Sequence, residues 1–134
     1  MLLTDLEIEA GTFLAASGKN LVENPEPLST APSAAGSLRI YDLPLFAVAD
    51  ARDPLWAKLK DPAVIGPHHG SPEDWLPGAR SIVSYFLPFS QRVREANRGQ
   101  GVTATEWIYG RWEGEICNVA LARVLAGAIE AAGD

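Results

Sequence analysis

One cysteine, Cys117, is all the thiol in this chain. A lone thiol forms no internal disulfide and cannot build a cysteine-ligated iron–sulfur cluster. Cations are scarce too: 11 Lys and Arg stand against 17 Asp and Glu, a formal net charge of -6. That balance argues against general nucleic-acid binding, which needs Lys and Arg in surplus on one face. No segment approaches the ~18 uncharged apolar residues of a membrane span. Met1 is not followed by a basic stretch and an apolar signal core, so the cytoplasm is the expected compartment. GxGxxG, Walker, GxSxG, HExxH and paired-cysteine signatures are all missing, and with them the usual short pointers to nucleotide, acyl-transfer and metal chemistry.

What remains is a chain of 134 residues, 47% hydrophobic. A single domain over 1–134 is expected, able to bury about two-thirds of its unfolded surface. Its most strand-like stretch is LPGARSIVSYFLPF, Leu76 to Phe89. Pro77-Gly78 marks a turn, and Ile82, Val83, Tyr85, Phe86 and Leu87 form an apolar, β-branched and aromatic run that Pro88 ends. The pattern predicts a buried central strand at about 80–87. Helical patterns lie on both sides of it in sequence. The expected fold is therefore α/β, with α+β as the alternative: a small sheet covered by an N-terminal helix and a long C-terminal helix.

Thr4 to Gly18 reads as an amphipathic helix with Thr4 and Glu7 at capping-box spacing and Leu6, Ala10, Phe13 and Leu14 on one face. Asn24 to Gly36, with Pro25, Pro27 and Pro32, is expected to be an extended surface connection without chemistry of its own. Ser37 to Ala49 predicts two short strands parted at Asp42 to Pro44. Asp53-Pro54 opens a helical turn through Lys60, with Leu55, Trp56 and Leu59 inward. Ser71-Pro72-Glu73-Asp74 is a second helix start. Between them a loop carries His68 and His69. Adjacent histidines point apart and no third ligand lies at metal spacing, so no metal site is expected, although a loop histidine contacting a ligand stays open.

Gln91 to Arg98 holds Arg92, Arg94, Asn97 and Arg98, the densest basic cluster in an acidic chain. It reads either as a solvated helix face or as an anion site, since guanidinium groups grip phosphate and carboxylate in bidentate fashion. Thr103 and Glu106 have capping-box spacing at the head of the terminal helix. In that helix Trp112, Ile116 and Val119 form one apolar stripe, and Cys117, Leu121, Val124, Leu125 and Ala128 another. So broad an apolar surface implies deep burial or burial against another chain or domain. Gly110 and Gly114 mark a bend or a close approach, and Gly133 a stop. Cys117, inside the apolar face, is a core residue rather than a nucleophile.

The stretch LPGARSIVSYFLPF, the Arg- and Asn-containing segment Arg92 to Arg98, and Glu106-Trp107 at the start of a helix ending in Glu130-Ala131-Ala132-Gly133 resemble the N-terminal region of epoxyqueuosine reductase-like iron–sulfur proteins. The resemblance covers roughly 71–133 and is most specific around 76–89. It implies an oxidoreductase family using a corrinoid and two 4Fe-4S clusters, with tRNA a partner of the full-length members. The cluster cysteines, the glycine-rich corrinoid segment and the catalytic acid of that family lie beyond the matched region. By this resemblance the chain is an N-terminal domain, inactive alone, whose partner is a C-terminal iron–sulfur domain. Arg92, Asn97, Arg98, Glu106 and Trp107 match the family's polar segment and are the expected ligand or domain contacts. A stand-alone binding module that dimerises through the terminal helix is the second reading, and a small flavin-binding reductase the third.

Overall fold

Gly18, at φ +70°, ends the first helix, and from there the chain alternates short extended pieces with helices. The computed structural model describes residues 3–99 and 101–133. The elements run α1 (Leu3–Ala16), β1 (Leu21–Val22), β2 (Leu38–Arg39), β3 (Leu45–Asp50), α2 (Leu55–Lys58), α3 (Pro72–Trp75), β4 (Ser81–Phe86), α4 (Gln91–Ala96) and α5 (Thr105–Ala131). The fold is mixed α/β, with the N-terminal and long C-terminal helices in place. Its strands form two antiparallel pairs, β1 with β2 and β3 with β4. The backbone divides into two compact units: Met1–Leu45 with Phe86–Asp134, and Phe46–Tyr85.

The first unit is built on α5. Beyond the buried Thr105 at its start, Glu106, Gly110, Gly114, Cys117, Leu121 and Leu125 are buried, recur every three or four positions and so share one side of the helix. α1 packs there through its own buried stripe, Leu6, Ala10 and Leu14, and α4 packs there through Val93. Each fully buried leucine in this core contributes about 1.5–3 kcal/mol. Burial pushes the Cys117 thiol up despite the nearby Lys19 charge, which suits a core residue. α1 already includes Thr4, one residue earlier than the capping-box spacing placed it, and its cap lies outside the described residues.

The two glycines of α5 mark close approach. A Cβ on Gly114 would sit 2.6 Å from the Tyr41 Oη and 3.3 Å from Ile40, and one on Gly110 would sit 3.1 Å from the Phe89 ring. Tyr41 cannot step aside freely, because its ring stacks on Phe89 at 5.1 Å and 12°. Gly114→Ala is therefore expected to destabilise the protein by about 1–3 kcal/mol through overpacking, despite alanine's better helix propensity. The sign of the change in a urea unfolding midpoint checks this.

β1 escaped the sequence reading because two residues carry no period. It pairs Leu21 with Arg39 and Val22 with Leu38. The two strands expected between Ser37 and Ala49 exist as β2 and β3, and each pairs with a different partner.

In the second unit β4 lies where the sequence placed its strand, but it is neither central nor buried. Among the described residues it has one neighbour, β3, and Val83 is 38% exposed. The apolar run sufficed to identify a strand, whereas burial on two faces needs covering layers that composition does not specify. Asp53 accepts the Leu55 N–H at 2.8 Å, but Pro54, expected as the first helical residue, is itself the N-cap of α2, and Leu55 points outward, 58% exposed. A four-residue helix has too few turns to hold one face inward. At α3 the Asp74 carboxylate receives Lys60 Nζ at 2.6 Å, the Ser71 hydroxyl at 2.6 Å and the Ser71 N–H at 2.7 Å. The Lys60 contact first, then those from Ser71, hold its carboxyl well below the usual range. Gly78, at φ +81°, makes the turn after Pro77, and its N–H donates to Glu73 at 3.0 Å.

Candidate functional site

Ser90 starts α4 by accepting the Val93 N–H at 3.4 Å, and its own hydroxyl donates to the Arg39 carbonyl at 2.7 Å. That anchorage aims Arg92, two residues on, at the head of α5. Its guanidinium donates to the carbonyls of Ser37 (2.9 Å), Gly36 (3.2 Å), Ala35 (3.3 Å) and Ala34, and lies 3.5 Å from the Glu106 carboxylate. The same Glu106 oxygen receives the Ser33 hydroxyl at 2.8 Å and the Ala34 N–H at 3.3 Å. Next to it, Thr105 takes the Leu28 N–H at 3.0 Å and the Tyr109 hydroxyl takes the Glu26 N–H at 3.1 Å. The proline-bearing connection is thus strapped across the first turns of α5, side chain to backbone. This pattern suits a segment without ladder partners, whose polar backbone must still be paired.

Glu106 is the electrostatic centre. Burial alone would raise its carboxyl, but the Ser33 hydroxyl, the Glu106 and Ala34 N–H groups and the Arg92 charge together hold it below the ordinary glutamate value. Its second oxygen, Oε2, and Arg92 Nε are both buried without a hydrogen-bond partner among the described residues. The expected capping box does not form: Ala104 is the N-cap and no side chain caps it. A full cation and two strap donors outcompete the single N–H that Glu106 would meet by reaching back.

Of the five residues the sequence singled out, the structure brings two together and gives a third, Trp107, a different partner. Arg92 and Glu106 pair directly, and Trp107 packs its ring against Phe89 at 5.1 Å. Asn97 closes α4 as its C-cap and, like Arg98, is exposed. The basic cluster therefore divides. Arg92 gives both terminal nitrogens to carbonyls, Arg94 donates to the Phe89 carbonyl and lies 3.5 Å from Asp42, and Arg98 faces solvent. Missed altogether were Ser33, Thr105 and Tyr109, whose roles depend on partners more than 70 positions away.

Two open grooves lie elsewhere in this unit. One, of about 520 Å³, is lined by Leu14, Asn20, Arg39, Tyr41, Asp42 and Leu43, and its two charges already pair at 2.9 Å. The other, of about 330 Å³, runs beside α5. In the second unit His68 is exposed and His69 half-buried, and among the described residues no three potential metal ligands cluster. No described helix is long and apolar enough to cross a membrane. Comparison with protein-family models, curated proteins and solved structures finds no match to this chain.

Proposed function

We propose that the chain acts as the N-terminal domain of an epoxyqueuosine reductase-like iron–sulfur oxidoreductase, contributing part of the wall of a corrinoid or substrate pocket. The observation that supports it is the continuity of the LPGARSIVSYFLPF stretch with a polar segment in which Arg92 pairs with Glu106 at the head of α5 while the neighbouring Trp107 packs on Phe89. The engagement of both terminal nitrogens of Arg92 with strap carbonyls favours a positioning role for the pair: it holds the strap and the α4–α5 corner. Asn97 and Arg98, exposed at that corner, are the residues left to meet a ligand or a neighbouring domain.

The residues present do not fit an iron–sulfur cluster, because one buried cysteine cannot supply the thiolates. Neither groove described above is lined by the five residues. This chain would supply one side of a corrinoid site. Anaerobic titration of cobalamin with the purified chain, followed by visible absorbance and calorimetry, tests the reading. Saturable binding that Asn97→Ala with Arg98→Ala weakens at least tenfold is the expected result. A flat titration at high protein concentration, with the helical spectrum intact, removes the pocket-wall role.

A further inference from the structure

The long helix α5 has a second face. Opposite its buried stripe stand Trp112, Ile116 and Val119, exposed by 77%, 55% and 41%, followed by exposed Arg123 and Ala126. Their spacing is four, three, four, three. At 100° per residue they occupy an arc of about 80° along the helix. The apolar surface read from the sequence is thus two stripes with different fates: Cys117, Leu121 and Leu125 are buried within the unit, while the Trp112 stripe is open. The groove beside α5 flanks that stripe, with Lys19 on its far wall and Ile116, Val119 and Arg123 on the near one.

We propose that a second copy of this chain covers the stripe, with the two α5 helices packed antiparallel. Alternating four- and three-residue spacing is the seam of a two-helix coiled coil. The charge in the seam selects the direction. In a parallel, in-register pair every seam residue meets its own copy, so Arg123 would face Arg123. In an antiparallel pair, layers form between positions of opposite type, and the register that centres the apolar residues sets Ile116 against Val119 of the second copy. That register lays Arg123 over Trp112 of the second copy at both ends, where the cation meets an aromatic face. Ala126, the next seam residue, is small enough to let the backbones approach. The surface is therefore complementary to itself under a two-fold axis, as a closed dimer requires.

Sedimentation equilibrium of the intact chain should show a monomer–dimer equilibrium. Trp112→Ala and Val119→Glu, both at exposed positions, should each weaken it at least tenfold with the helical spectrum unchanged. Direction is read by cross-linking. An Ile116→Cys chain mixed with a Val119→Cys chain should form a disulfide-linked dimer under mild oxidation. Arg123→Cys should not link to itself, because in the antiparallel register its two copies lie about 16 Å apart along the axis. A monomer at every concentration overturns the proposal, and so does ready self-linkage through position 123, the signature of a parallel pair.

Discussion

Replacing Glu106 by alanine is expected to cost about 3 kcal/mol, because it leaves the largely buried Arg92 without its counter-charge and removes the acceptor for Ser33 and Ala34. Urea unfolding followed by the helical spectrum measures the loss. Glu106→Gln keeps an acceptor oxygen and should cost less, which separates the hydrogen bonds from the charge. The charge also gives the effect a pH signature. The folded carboxyl titrates below its unfolded value, so its stabilisation is complete above the ordinary glutamate range and disappears as pH falls toward the lower folded value. The gap between the native protein and Glu106→Gln should therefore narrow from about pH 6 to about pH 3. A gap independent of pH would mean that the carboxylate's charge contributes nothing at this site.

Asn20→Ala is the second large effect. The Asn20 side chain grips one residue twice: its Oδ1 accepts the Tyr41 N–H at 2.8 Å and its Nδ2 donates to the Tyr41 carbonyl at 3.0 Å. It thereby serves as a one-residue strand, continuing the ladder begun where the Ile40 N–H donates to the Asn20 carbonyl at 3.0 Å. Both residues are buried, so alanine removes two buried hydrogen bonds to the Tyr41 backbone, at about 1–3 kcal/mol each. The combined loss should lie near 2–5 kcal/mol. At its exposed neighbour, Lys19→Ala should stay within about 0.5 kcal/mol. If the two variants unfold at the same urea concentration, the Asn20 clamp is not what holds Tyr41 beneath α5.

Legibility in the sequence tracked the range of the interaction. Leu6, Ala10 and Leu14 were readable as the inner face of α1, and Cys117, Leu121 and Leu125 as an apolar stripe of α5, because helical period is written in neighbours three and four positions apart. Pro77-Gly78 and the run from Ile82 located β4 for the same local reason. Burial of β4 was not readable, since it depends on how many strands and layers assemble around it. Nor was the strap. Ser33 and Glu106 look like a loop serine and a capping glutamate until the chain has folded them to within 2.8 Å of each other. Arg92 to Arg98 reads as a basic cluster, but only the folded chain shows that Arg92 turns inward onto carbonyls while Arg98 does not.

The pairing of α1 with α5 also dictates a schedule. The chain is made from its N-terminus, and α1 emerges roughly a hundred residues before the face that covers Leu6, Ala10 and Leu14. At about 5–20 residues per second that wait is on the order of ten seconds. The strap is in the same position, since its anchors at Arg92, Thr105, Glu106 and Tyr109 come late. During synthesis the first unit is therefore a nascent helix with an uncovered apolar stripe, a ready client for a holding chaperone. It cannot close before α5 has left the ribosome.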